Sequence, residues 1–271
     1  MKLVSLPGAV TDFGEQSLRR FVQVEGAQQA TVLAAQAFTS LIPFLVVAAA
    51  FGPGEGDLAD RINERFDLHG SAARSVEALF NDASETTSAV TWVSIIILVL
   101  SATSFTRALQ RMFQRAYQAE PGSWKEAWRG LAWLAAFALW IVVSSPLRNT
   151  LSDVGGVVFA VTVSTVSGFV VWLATPAILL GAMNWRRLLP GALVSALLGA
   201  LLGAASGIYV PIVLTWSADR YGLIGVAFSI QSWLLAAAFI VVIGAVVGAV
   251  ASEGLRDRLD RIAPAKPTRV A

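Results

Sequence analysis

The 271-residue chain contains no cysteine and only one histidine, His69. These absences exclude disulfide bonds, thiol chemistry and thiolate metal sites, and they exclude a metal centre built from several histidines. Charged residues make up 14% of the chain, whereas typical soluble domains contain about 25%. The net charge is only +2, so the sequence does not favour nucleic acid as a partner.

The residue patterns of common enzymes are missing as well. The chain has no phosphate-binding loop, no nucleophile beside a base, and no acidic residue in the middle of an apolar run. We therefore expect no enzymatic activity, no catalytic residue, no metal site and no cofactor. Asp60, Glu64 and Asp67 align on one helical face, which allows a cation site, but a solvated charged face is the better interpretation.

Apolar residues are what the chain has in quantity, at 56%. A helix needs about 20 of them to cross the hydrocarbon of a bilayer. Six apolar runs predict an all-α, polytopic membrane protein with six transmembrane helices and short amphipathic helices. The predicted spans are 29–51, 89–108, 130–147, 154–182, 188–214 and 223–250. Because few residues separate the third and fourth spans, these two should form a tight helical hairpin.

Lysine and arginine are distributed unevenly about these spans. The N-terminus, the 107–129 connection, the 183–187 loop and the C-terminal tail together carry 15, and the other connections carry 5. By the positive-inside rule, both termini are predicted to be cytoplasmic. Residues 1–28 then form a cytoplasmic segment with an amphipathic helix, residues 251–271 form a basic cytoplasmic tail, and 52–88 form an outer loop. No cleavable signal peptide is apparent.

The first two spans carry polar stripes. Gln36 and Ser40 share one face of the first span with Gln29, and Ser101 and Ser104 continue a serine line in the second. An unpaired amide in lipid is costly, so such stripes must face protein or water. These residues therefore either line a cavity that opens to the cytoplasm or bond across a packed helix interface.

Basic side chains stand at the cytoplasmic end of this arrangement. Arg107 and Arg111 follow the second stripe, where they would attract an anionic headgroup to the mouth of a cavity. The alternative is that both arginines only set the membrane orientation. Residues 13–25 are amphipathic, so they either lie in the headgroup plane with Arg19 and Arg20 near anionic lipid or simply lead into the first span.

The fifth span has a regular line of small residues at every fourth position. Its members are Gly191, Ser195, Gly199, Gly203 and Gly207. Such a line leaves a groove without side chains and allows another helix to approach closely. We interpret it as a helix-packing surface, with a sliding interface as the alternative.

Four further stretches occur in order over about residues 18–252. They are LRRFVQVEGAQQATVLAAQAFTSLIP, LSATSFTRALQRMFQRAY, NWRRLLPGALVSALL and YGLIGVAFSIQSWLLAAAFIVVIGAVVGA. Together they resemble the YihY/BrkB family of bacterial inner-membrane proteins, once labelled ribonuclease BN. The chain departs from the family pattern at Ala35 and Gln36, where paired aromatics are common, and at Val246, where a glutamate is common.

The resemblance implies six spans, both termini in the cytoplasm, and a bacterial inner-membrane location linked to envelope integrity. Nuclease activity is not expected, because the acidic residues crowd the predicted outer loop, away from cytoplasmic RNA. The first functional hypothesis is a protein that moves or binds a lipid or another amphipathic substrate in a cavity between helices. The second is a structural scaffold that transports nothing. Membrane lipids are the expected partners, and the oligomeric state stays open.

Overall fold

The computed structural model describes residues 6–51, 60, 63, 70, 73, 74, 77, 88–120, 128–181 and 184–262. In these ranges the chain is helical and contains no strand, which confirms the all-α prediction. The elements are α1 (Leu6–Gln23), α2 (Gly26–Phe51), α3 (Ser88–Tyr117), α4 (Trp128–Leu180), a 3-10 turn (Trp185–Arg187) and α5 (Leu189–Ile262). Most of the predicted 52–88 loop and the last residues of the tail, 263–271, lie outside the described residues.

The N-terminal helix α1 packs on the last helix rather than standing apart. Its Phe21 ring stacks on Phe239 of α5, with ring centroids 6.4 Å apart. A turn at Glu25, whose φ is 56°, leads directly into α2. Gly26 is the first residue of α2, and the Phe21 ring lies against it: a Cβ there would lie 2.5 Å from Phe21 Cδ2.

Helix α4 doubles back on itself. The indole Nε1 of Trp133 donates a hydrogen bond of 3.0 Å to Thr175 Oγ1, and the Arg129 guanidinium lies against Gly181. In a straight helix residues 133 and 175 would be about 63 Å apart, so the element must reverse direction between them. The midpoint of that pair, residue 154, lies close to the predicted connection between the third and fourth spans.

Helix α5 is likewise two arms. Gly222, with φ 59° and ψ −142°, breaks the helical backbone. The side chains of Trp233 and Ser206 then meet across the arms, at 2.7 Å between Nε1 and Oγ. The arms 189–221 and 223–262 therefore run antiparallel. A glycine suits the bend because its positive φ costs an L side chain energy.

The buried core lies at the end of the bundle where α1, the C-terminal half of α3 and the loop before α5 meet. Its largest fully buried side chains include Met112, Leu179, Leu188 and Val242. By length and composition, two helices in the described ranges can cross a membrane, Trp92–Tyr117 and Leu189–Gly254, and the shorter Thr165–Leu180 is also apolar. Six transmembrane spans remain a prediction.

Candidate functional site

The two arms of α5 are in backbone contact near the buried core. A Cβ on Gly248 would lie 2.5 Å from the Cα of Gly191 and 2.6 Å from the Tyr117 hydroxyl. One turn along, a Cβ on Gly244 would overlap Ser195. The backbones touch here because small residues face one another on both arms.

The same line of small residues has different surroundings further along the first arm. A Cβ on Gly199 would meet Trp172 Nε1 at 3.4 Å, which is an ordinary contact. Gly203 and Gly207 are exposed, and no heavy atom that the structure describes would lie within 4 Å of a Cβ there. The structure thus brings Gly191 and Ser195 against the second arm, and leaves Gly203 and Gly207 open.

A groove of about 630 Å³ runs along the junction of the arms toward the bend at Gly222. We call it the α5 groove. Its lining is mostly apolar, from Leu202 on the first arm to Ala236 on the second, and it includes four serine side chains. Ligand pockets are typically concave and apolar with a few placed polar groups, in the range of about 300–1,000 Å³.

Hydroxyl groups tie the two walls of the α5 groove together. Ser206 Oγ accepts from Trp233 Nε1 at 2.7 Å and itself donates to the Leu202 carbonyl at 2.6 Å. Nearer the bend, Ser229 Oγ lies 3.0 Å from Ser217 Oγ. These hydrogen bonds join the two arms. The groove between the surrounding apolar side chains stays open to the outside of the protein.

Two charged residues, Asp219 and Arg220, directly precede the groove-lining Tyr221 at the bend. Arg220 lies over the Trp216 ring, with its guanidinium carbon 4.7 Å from the ring centroid. Trp216 meets the groove-lining Tyr221 edge to face, at 6.4 Å between centroids. Asp219 precedes Arg220, and both are exposed. From residue 188 to 252 these two are the only charged residues of the sequence.

Sequence reasoning missed the α5 groove, although a signal for it exists. Ser206, Tyr209, Val213 and Ser217 recur at i, i+3, i+7 and i+11 and share one helical face. All four line the groove. The regular line of glycines on the same arm is the stronger pattern, and it predicts helix packing rather than a binding groove.

The predicted polar stripes of α2 and α3 lie on helices that pack against each other. Gln36, Ser40 and Ser101 are half-buried, and Ser104 is exposed. Ser40 Oγ donates to the Gln36 carbonyl of its own helix at 2.9 Å. Gln36 Oε1 is buried, with no hydrogen-bond partner among the residues that the structure describes.

The two arginines predicted at the mouth of the cavity lie in different environments. Arg107 is half-buried and interacts with its surroundings, whereas Arg111, one turn later, is exposed. Next to them Gln110 Nε2 donates to the Leu179 carbonyl at 3.1 Å, which joins α3 to the end of α4. Of the two arginines, Arg111 is the more accessible.

The arginines of α1 are engaged within the protein. Arg20, whose side chain is 11% exposed, forms an ion pair with Glu253 near the end of α5. Arg19 pairs with Glu15 on the exposed face of α1. Of the two interpretations of residues 13–25, the one that places both guanidinium groups near anionic lipid therefore has to compete with a carboxylate partner at each position.

Metal ligands do not gather in the part of the chain that the structure describes: no group of three or more His, Cys, Asp or Glu side chains is placed to hold an ion there. Of the acidic residues considered as a cation site, only Asp60 lies among the described residues, and it is exposed.

Comparison with known protein families gives a match over most of the chain. The model of a family described as Virulence factor BrkB matches residues 17–268. No curated protein and no solved structure matches the chain.

Proposed function

The chain belongs to the Virulence factor BrkB family, and from that premise we propose that it binds a lipid or another amphipathic molecule between its helices and moves or shelters it. Family membership and the apolar helices together indicate an integral membrane protein. The finer topology is part of the proposal: six spans in a bacterial inner membrane, with both termini in the cytoplasm.

Two observations support this topology. Because α4 and α5 each double back, α2, α3 and the four arms make six long helical segments. The bias of 15 basic residues against 5 favours cytoplasmic termini. On this topology the buried core lies toward the cytoplasm and the bend at Gly222 toward the outside.

The α5 groove is the single observation that carries the binding function. It combines a volume of about 630 Å³ with a mostly apolar lining and hydroxyl groups from both arms. In a membrane, an apolar surface recess is in contact with hydrocarbon rather than water. An amphipathic molecule fits such a site because its chain matches the apolar lining and its polar end finds the hydroxyl and charged groups near the bend.

A matched pair of substitutions tests this function. Ala205 and Ala204 are both exposed neighbours on the first arm, but only Ala205 lines the groove. We expect Ala205→Phe to lower the occupancy of phosphatidylglycerol added to the detergent-purified chain, measured by native mass spectrometry. Ala204→Phe should leave it unchanged. Ala236→Phe, which narrows the groove from the second arm, should repeat the loss.

Equal occupancy in all these variants would reject binding in the α5 groove. That result would favour the second function, a scaffold that transports nothing. The contact of Gly191 with Gly248 supports this alternative, since it joins the arms through their backbones.

A further inference from the structure

We propose that the α5 groove binds a phospholipid, with one acyl chain along the junction of the arms and the phosphate beside Arg220. This inference rests on the proposed function and names its ligand. The bound molecule is a phospholipid of the surrounding bilayer, held at one defined site.

The dimensions of the groove suit an acyl chain. From Ser206 to Tyr221 the lining covers 15 residues, which corresponds to about 22 Å of helix. One leaflet accounts for half of a hydrocarbon core of about 30 Å. A chain that starts at the bend can therefore run along the groove for the full depth of its leaflet.

The groove is also accessible from the side. Ile224 and Phe228 line it, and their side chains are 67% and 70% exposed. In the hydrocarbon region an exposed apolar wall is covered by lipid chains. A lipid can then enter from the bilayer without crossing the protein.

Charge supplies the reason for a phosphate. Arg220 is the only lysine or arginine between residues 188 and 255, and it directly precedes the groove-lining Tyr221 and the bend at Gly222. Trp216 and Tyr221 beside it are aromatic residues of the kind that anchor helices at headgroup level. A guanidinium held on an indole face presents its N–H donors to a phosphate oxygen. Asp219 next to it offers a carboxylate to the ammonium of a zwitterionic headgroup.

The test compares two lipids with identical acyl chains, phosphatidylethanolamine and diacylglycerol, which lacks the phosphate. Both are added at equal concentration to the detergent-purified full chain, and native mass spectrometry gives the ratio of the bound species. We expect the wild-type chain to prefer the phospholipid by about two- to fivefold, the range of a partly exposed ion pair. Arg220→Gln should bring the ratio close to one.

Arg186→Gln is the matched control, because Arg186 also lies over a tryptophan, Trp185, at 5.7 Å, but on the loop before α5. It should keep the wild-type ratio. An unchanged ratio in Arg220→Gln would overturn the phosphate assignment. If Ala205→Phe still lowered the occupancy of both lipids, the groove would stand as a binding site. If Ala205→Phe changed neither, the proposed function itself would fail.

A third lipid separates the headgroup classes. Phosphatidylglycerol carries the same phosphate without an ammonium. Equal binding of phosphatidylglycerol and phosphatidylethanolamine supports recognition through Arg220 alone. A preference for phosphatidylethanolamine that Asp219→Asn removes supports contacts from both charges. Stronger binding of diacylglycerol than of either phospholipid would contradict the inference.

Discussion

Replacing Gly248 by alanine adds a methyl group where the backbones of the two arms of α5 meet near the buried core. The new Cβ would lie 2.5 Å from the Cα and 2.7 Å from the backbone nitrogen of Gly191. Both atoms belong to the backbone, so a side-chain rotation cannot relieve the overlap. Either the arms move apart or the helix bends, and overpacking of this kind costs about 1–3 kcal/mol.

The exposed Gly203 on the first arm provides the control. A methyl group there meets open space, while alanine favours a helix over glycine by up to about 1 kcal/mol. Because both variants share this gain in helix propensity, their difference isolates the packing term. We expect Gly248→Ala to unfold more easily than Gly203→Ala by about 1–3 kcal/mol.

The assay is a titration of the purified chain with sodium dodecyl sulfate in mixed micelles, with helix content followed by circular dichroism. It compares the free energy of unfolding of the two variants at the same mole fraction of denaturing detergent. Equal values, or a more stable Gly248→Ala chain, would refute the conclusion that backbone contact joins the arms at this point.

Two further predictions concern contacts made by other helices. Trp133→Phe removes the hydrogen bond to Thr175, so it should lower the free energy of unfolding by about 0.5–1.5 kcal/mol in the same detergent titration. Trp128→Phe is the control: this position is 62% exposed, and the substitution should have little effect. Glu253→Gln leaves the mostly buried Arg20 without its carboxylate, so α1 should exchange its amide hydrogens faster; exchange unchanged from wild type would show that the ion pair does not hold α1.

The helices follow from local properties of the sequence. Apolar runs with few helix-breaking residues form helices in a membrane, because a single helix satisfies its backbone hydrogen bonds within the segment itself. The all-α class is confirmed for the described ranges, and the suspected family is confirmed over residues 17–268. The predicted hairpin of the third and fourth spans rests on a short connection, and the contact of Trp133 with Thr175 agrees with it.

The polar stripes are harder to interpret from sequence. A serine on a helix can bond to a neighbouring helix, to a ligand or to the carbonyl four residues earlier, and the spacing is the same in all three cases. Ser40 bonds to the carbonyl of Gln36 in its own helix. Ser229 lies 2.9 Å from the carbonyl of Gly225 in its own helix and also 3.0 Å from Ser217 Oγ on the opposite arm. The choice depends on what faces each hydroxyl, and periodicity carries no information about that.

The sequence alone determined that the chain is helical, apolar and a member of its family, because these properties depend on residues that are near one another along the chain. It also marked Gly191 and Gly203 as equal members of one line of small residues. Only the tertiary structure distinguished them. The bend at Gly222 sets the register of the arms and places Gly191 opposite Gly248, so one glycine is a backbone contact and the other stays open. Close approach requires small residues on both arms at the same level along the helix axes. Only the folding back of the chain brings such residues opposite one another.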